Sequence, residues 1–294
     1  MTGYLLLALS LIAGATKGFC GKKISTYTND LFSALKANLL RMLICVVIGF
    51  FLTVLNSDTL FPDKNILFTA MLSGLSTACF VVTWLLSVRQ NAYVMLELFL
   101  TMGVIIPLAL SKILFDEAVS LKQVIGFLIL AAGVYILSLY NNSLKGKIKL
   151  RDLLTLLVCG VSNGITDFSQ KLFIKNANHT PVSIFNLYTY VFCAIILALV
   201  MIFVDKKKTS YSSSRFSCKV IIYISIMSIC LFAHSYFKTT CAGMLDAVKL
   251  YPLSQGGSLI LSTLMATLFF KEKITAKSII GTVIAFMGLL TINM

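Results

Sequence analysis

One carboxylate, Glu97, lies in an apolar segment that carries no other charge between Gln90 and Ser111. An ionisable group at the centre of a membrane helix costs at least ~2.5 kcal/mol on insertion scales, so such a residue is a candidate for function. A carboxylate there can bind a cationic or zwitterionic solute, or take up a proton. Pro107 farther along can bend the helix and free a backbone carbonyl. The alternative is a structural partner for a Lys or Arg on another helix.

Two further pairs of titratable residues lie in long apolar runs. Asp167 and Lys171 are spaced i, i+4, so they share one face of a helix and can neutralise each other. This spacing favours a structural pair, with Asp167 a secondary binding candidate. His234 has Lys238 one turn beyond it. A lone membrane histidine can relay protons, but a hydrogen-bonded packing role is the commoner case.

The segment YPLSQGGSLI, residues 251–260, places Gln255, Gly256 and Gly257 a few residues after a proline. Glycines lack a Cβ, so a ligand or a neighbouring helix can approach the backbone closely. Tight helix packing is the favoured interpretation, and Gln255 and Gly256 are kept as candidate substrate-binding residues. Lys17, near the end of the first apolar run, is expected to extend its long side chain to the membrane interface.

No pattern in the sequence is typical of a catalytic centre, a bound cofactor or a metal site. The two histidines are His179 and His234, and the eight cysteines are scattered without a C-x-x-C pair. An enzyme acting on a membrane lipid needs paired carboxylates, a His-Asp set or an Arg-rich phosphate motif, and the sequence displays none of these. Such an enzyme is the alternative to the function inferred below.

The chain as a whole is too apolar for a soluble globular domain. Its 294 residues are 58% hydrophobic and 12% charged, with a mean hydropathy of +0.93. The runs are continuously apolar, without the alternation of a membrane barrel, so we predict an all-α membrane protein of about ten transmembrane helices. The apolar runs cover residues 3–19, 37–55, 66–88, 92–111, 124–140, 153–173, 181–204, 220–243, 250–270 and 278–293.

An internal repeat divides these helices into two sets of five. Residues 115–134 align without a gap on residues 270–289, and shared apolar composition does not explain matched Glu, Lys and Gly residues. The identities are Phe115/Phe270, Glu117/Glu272, Lys122/Lys277, Ile125/Ile280, Gly126/Gly281, Ile129/Ile284 and Gly133/Gly288. An odd number of spans per unit predicts that the second copy is inverted in the membrane. The predicted units are residues 1–140 and 152–294, joined by a basic linker at 141–151.

At this repeat the sequence resembles the ten-helix EamA-type branch of the drug/metabolite transporter superfamily. The matching elements read FDE, VIG and AAGV in the first copy and FKE, IIG and FMGL in the second. Glu117 and Glu272 fit this motif as helix-end markers, whereas Glu97 stands where the second half has Pro252. The resemblance implies a helical basket with a central cavity and alternating access for small organic solutes such as amino acids, metabolites or drugs, without catalysis.

The expected function is therefore a secondary transporter in a lipid bilayer, as a multi-pass protein of the cell membrane. A non-transporting receptor is disfavoured, because an inverted duplication supplies two access states. The net charge of +14 lies mostly in short loops, which is typical of contact with anionic lipid and not of nucleic-acid binding.

The charges also predict an orientation. Fifteen Lys and Arg residues follow odd-numbered spans, against six on the opposite side, Lys64, Lys112, Lys122, Lys175, Lys238 and Lys249. The positive-inside rule puts both termini outside, whereas the family resemblance implies cytoplasmic termini.

Overall fold

The computed structural model describes residues 2–28, 30–58, 60–90, 93–116, 120–145, 149–177, 180–205, 216–271 and 275–293, and within these ranges every regular element is an α-helix. The helices are α1 (Thr2–Ser25), α2 (Leu31–Leu55), α3 (Lys64–Gln90), α4 (Tyr93–Met102), α5 (Ile105–Phe115), α6 (Leu121–Lys145), α7 (Leu150–Asn176), α8 (Val182–Asp205), α9 (Cys218–Ala242), α10 (Ala247–Leu268) and α11 (Ala276–Asn293). The prediction of an all-α protein is confirmed.

The described helices form ten candidate spans, because α4 and α5 follow one another across a short break at Gly103 and Val104. Six spans are long and apolar enough to cross a membrane by length and composition, and parts of α6 and α11 are shorter apolar helices. The two others, α7 and α10, carry polar residues such as Asp167 and Gln255 along their length. The predicted count of about ten agrees with this architecture.

The two copies of the sequence repeat pack against each other as α6 and α11, one of the most extensive helix contacts in the protein. A Cβ on Gly126 would lie 2.6 Å from the Ile292 side chain, and one on Gly133 would lie 2.8 Å from the Ala285 backbone nitrogen. Residues later in α6 therefore contact residues earlier in α11. The two helices are antiparallel, as an inverted repeat requires.

The other helix contacts follow the same symmetry. When each helix of the first half is exchanged for its counterpart, the α1–α9 contact becomes the α3–α7 contact, and α2–α8 and α6–α11 map onto themselves. Two left-handed residues, Asp116 (φ 53°) after α5 and Lys271 (φ 52°) after α10, occupy equivalent positions before the last helix of each half. The duplication therefore extends from the sequence motif to the helix packing and the backbone turns.

The connection between the two halves differs from its prediction, and three residues named above cannot be compared with the structure. Helix α6 continues to Lys145 and α7 begins at Leu150, so the connection between the halves is shorter than the linker predicted at 141–151. Glu117, Glu272 and His179 lie outside the described residues.

Candidate functional site

A polar cavity lies at the centre of the bundle, between helices of both halves. It is bordered by α1, α3 and α4 from the first half and by α7, α9 and α10 from the second. Its polar lining includes Lys17, Glu97, Asn163, His234, Lys238 and Gln255. This space is the first opening of the cavity, and a second opening lies on the α7 and α8 side. The second opening shares five lining residues with the first, among them Lys17 and Asn163, and adds Asp167. Charged and amide side chains thus converge inside an otherwise apolar bundle.

Glu97 lies on α4 with only 6% of its surface exposed, and it borders the cavity. The Ser258 hydroxyl of α10 donates a hydrogen bond to Glu97 Oε2 at 3.1 Å, and the Tyr93 side chain one turn earlier also hydrogen-bonds the carboxylate. These contacts tie the carboxylate to α10, the helix that carries the glycine-rich segment. In the described part of the chain the hydrogen-bond partners of Glu97 are hydroxyl groups, and Lys17 of α1 interacts with the carboxylate electrostatically.

Close backbone contact between α4 and α7 fixes the position of Glu97. A Cβ added to Gly103 would collide with the Gly160 carbonyl oxygen, and a Cβ added to Gly160 would collide with that of Phe99. Glycine is needed at both positions because the two helices touch through their backbones. Neither glycine is among the candidate residues predicted from the sequence.

Asp167 forms a buried ion pair with Lys238, a partner that the i, i+4 spacing with Lys171 did not indicate. Lys238 Nζ lies 2.7 Å from Asp167 Oδ1, and the two side chains are 3% and 4% exposed. Lys171 instead donates to the carbonyl oxygens of Ala242 and Leu245, at 3.4 and 3.3 Å. Lys238 is therefore part of the interior and does not belong to the loop charges counted for orientation.

Helix α10 holds this ion pair from the other side. The Gln255 side-chain amide donates to Asp167 Oδ2 at 3.4 Å, and the Tyr251 hydroxyl donates to the Asp167 backbone carbonyl at 2.7 Å. Gly256 faces α11, where an added Cβ would lie 3.3 Å from the Leu289 side chain. Of the two candidates in this segment, Gln255 borders the cavity and Gly256 packs between helices.

His234 borders both openings and is fixed to α1. Its Nδ1 lies 2.8 Å from the Ser10 carbonyl oxygen, and the Ser10 hydroxyl donates back to the His234 carbonyl at 3.0 Å. The Ser10 hydroxyl also lies 3.0 Å from Nδ1. Because a carbonyl only accepts hydrogen bonds, the contact with the Ser10 carbonyl favours the neutral tautomer with its proton on Nδ1 and an acceptor at Nε2. Gly14 makes room for the ring, since a Cβ there would lie 3.0 Å from Nδ1.

The comparisons with known proteins agree with this architecture. Residues 150–294 match the family model described as the EamA-like transporter family. The chain belongs to the EamA-like transporter family. This family is part of the drug/metabolite transporter superfamily, and it makes the protein a multi-pass membrane transporter.

One solved structure, described only as a crystal structure of a protein, superposes on this EamA-like chain with a TM-score of 0.69. The superposition covers 98% of this chain and 95% of the other at 14% identity, which demonstrates a shared fold. The comparison with curated proteins found no match.

Two cationic residues of this EamA-like transporter lie deeper than their sequence positions suggested. Lys17 was expected at the interface, but it borders the cavity. Arg41, near the start of an apolar run, is 4% exposed, and its Nη1 contacts Met227 Sδ at 3.3 Å. The sequence held an indication for Lys17, because GATK at 14–17 parallels GITD at 164–167. Lys17 and Asp167 are thus equivalent positions of the two halves.

Proposed function

We propose that this protein is a secondary carrier that moves a small organic solute across the cell membrane by alternating access. The observation that carries the proposal is the central cavity, where charged and amide side chains from both halves meet inside an apolar bundle. Buried ionisable groups are costly in a membrane and are typical of substrate pathways. Inverted-repeat transporters hold their substrate at such an interface between repeats.

In this proposal two units, residues 1–140 and 152–294, move relative to each other around the cavity. The cross-half contacts α1–α9 and α3–α7 flank the cavity and would be the surfaces on which the units rock. The α6–α11 contact is closely packed through glycines and would serve as a hinge region. A chain built from two inverted units can adopt two equivalent conformations, one open to each side of the membrane.

The polar residues of the cavity take distinct roles in solute binding. Glu97 offers a carboxylate to a cationic or hydroxyl group of the solute, and His234 offers an acceptor at Nε2. Gln255 borders the same space and also supports Asp167, whose charge is engaged by Lys238. Asp167 therefore binds solute only when this ion pair rearranges, and Gly256 contributes the close packing of α10.

Solute counterflow in proteoliposomes tests the proposal. Vesicles that contain the purified protein are loaded with a mixture of unlabelled amino acids, amines and organic acids, and uptake of labelled members of the mixture is measured. A carrier accumulates the label transiently against its gradient, which neither a channel nor a receptor does. Absence of counterflow for every solute in the mixture would contradict the proposal.

Neutralising Glu97 tests its role within that assay. The Glu97→Gln substitution keeps the shape and removes the charge, and we expect a fall of about tenfold or more in transport, since a hydrogen bond to a charged group contributes ~1.5–3 kcal/mol. Asp152→Asn is the matched control, because Asp152 is a carboxylate in the first turn of α7, away from the cavity lining. Equal kinetics and pH dependence for E97Q and D152N, at equal expression, would make Glu97 structural.

A further inference from the structure

Lys17 places an ammonium group at the cavity, and the described residues offer it no hydrogen-bond acceptor. It borders both openings of the cavity, on the helix that faces α9 and α10. Within the described part of the chain, the contact recorded for its Nζ is the Phe80 ring, whose centroid lies 5.8 Å away. A cation over a ring face is stabilised by ~0.5–2 kcal/mol, and this contact is weaker than a charge-assisted hydrogen bond to an anion.

Asn163 of α7 adds a second donor to the same space. It borders both openings together with Lys17, and its Nδ2 is buried with no hydrogen-bond partner among the described residues. A buried donor left unsatisfied costs ~1–3 kcal/mol. Two donors from opposite halves, one of them charged, therefore face a common space without an acceptor.

Glu97 and Asp167 interact electrostatically with Lys17, but neither forms an ion pair with it within the described part of the chain. Asp167 Oδ1 is taken by Lys238 at 2.7 Å, and Glu97 Oε2 accepts from Ser258 at 3.1 Å. Among the described residues, the charged side chains that are buried or border the cavity are four cations, Lys17, Arg41, Lys171 and Lys238, and two carboxylates, Glu97 and Asp167. The interior thus has an excess of positive charge, which an anion entering the cavity would reduce.

We propose that Lys17 and Asn163 form a subsite for an anionic group, a carboxylate or a phosphate, of the transported solute. The ammonium supplies the charge and the amide supplies a directed second donor. Glu97, which borders the same cavity from α4, then binds an amino or hydroxyl group of the same molecule. This inference rests on the proposed function only in that the bound solute is also transported. Binding of the anionic group is measured without transport.

Thermal unfolding of the purified full-length protein in detergent measures that binding. The probes are matched pairs that differ in the anionic group: acetate and acetamide, benzoate and benzamide, L-leucine and L-leucinamide, glycerol 3-phosphate and glycerol. A ligand bound only by the folded protein raises its melting temperature. We expect at least one acid to raise the melting temperature while its neutral or cationic partner does not. The carboxylate and phosphate pairs distinguish the two anion types.

Lys17→Met is expected to abolish this acid-selective shift and to weaken the acid about tenfold or more, equivalent to ~1.4 kcal/mol. Lys36→Met is the matched control, because Lys36 is a half-buried lysine of α2 whose Nζ lies 5.4 Å from the Phe216 ring centroid, away from the cavity lining. Asn163→Asp is a second variant that introduces a carboxylate beside Lys17 and should also remove the shift. It keeps the test valid if K17M folds poorly.

Three results would overturn the subsite: no acid-selective shift in the wild type, an undiminished shift in both K17M and N163D, or an equal loss in K36M. Failure of the proposed carrier function is distinguished from failure of the anion subsite. Acid binding that depends on Lys17 without counterflow in vesicles would refute the carrier and leave the subsite in place. Counterflow that is unchanged by substitution of Lys17 would support the carrier and refute the subsite.

Discussion

Replacing Lys238 by Met leaves Asp167 as a buried carboxylate without its cation. The pair is 2.7 Å apart and both side chains are almost fully buried, so the lone carboxylate is left in a poorly solvated position. Breaking a buried ion pair from one side costs ~3–5 kcal/mol, whereas removing both charges is close to neutral. Gln255 still donates to Asp167 Oδ2 in the variant, so we expect a loss at the lower end, ~3 kcal/mol. The double variant D167N/K238M should return to within ~1 kcal/mol of the wild type.

Equilibrium unfolding in mixed micelles of increasing SDS content measures these differences. Trp84, the single tryptophan, is buried against Tyr93 at 6.4 Å between ring centroids, so its fluorescence reports the packing of α3 against α4. Lys36→Met again serves as the control, with an expected loss of no more than ~1 kcal/mol for its ring contact. If the double variant is as unstable as the sum of K238M and D167N, the two residues are not coupled and the argument from the ion pair is refuted.

Two further predictions concern helix packing. Gly288→Ala should lower the melting temperature by several degrees, because the new Cβ would lie 2.7 Å from the Gly126 carbonyl oxygen, whereas Gly243→Ala, with its nearest contact at 3.5 Å, should have little effect. Tyr251→Phe should cost ~0.5–1.5 kcal/mol in the same SDS titration, since the Asp167 carbonyl loses its 2.7 Å hydrogen bond from the Tyr251 hydroxyl, and an unchanged midpoint would contradict that role.

The sequence predicted the architecture well because the membrane leaves few alternatives. Long apolar runs without alternation predict helices, and matched Glu, Lys and Gly residues at a constant offset predict a duplication. The break between α4 and α5 was anticipated only as a bend at Pro107, whereas it lies at Gly103 and Val104. A proline is visible in the sequence, but the close contact of Gly103 with Gly160 arises only when α4 meets α7.

The partners of the charged residues were harder to predict than their presence. Asp167 and Lys171 share a helix face, and local spacing favours their pairing, yet the cation within 2.7 Å of Asp167 comes from another helix, 71 residues along the chain. Lys17 was placed at the interface because long side chains can usually reach it. Residue spacing describes contacts within one helix. The contacts of Lys17 and Asp167 are set by how α1, α7 and α9 pack around the cavity.

The position of Lys238 also sharpens the prediction of orientation. Once Lys238 is counted with the interior, the side opposite the fifteen loop cations holds Lys64, Lys112, Lys122, Lys175 and Lys249. The positive-inside rule depends on Lys and Arg in short loops near the ends of the spans, and the difference between the sides is therefore larger than the sequence alone indicated. We expect the end of α1, the connection between α6 and α7 and the loop after α8 to face the cytoplasm, with both termini outside.

A reporter that is active only in the cytoplasm tests this orientation. We expect little activity when it is fused after Met294 and strong activity when it is inserted after Ser212, in the basic loop that follows α8. The internal insertion checks that the reporter folds within this chain. The reverse pattern would refute the prediction and restore the cytoplasmic termini that the family resemblance implies.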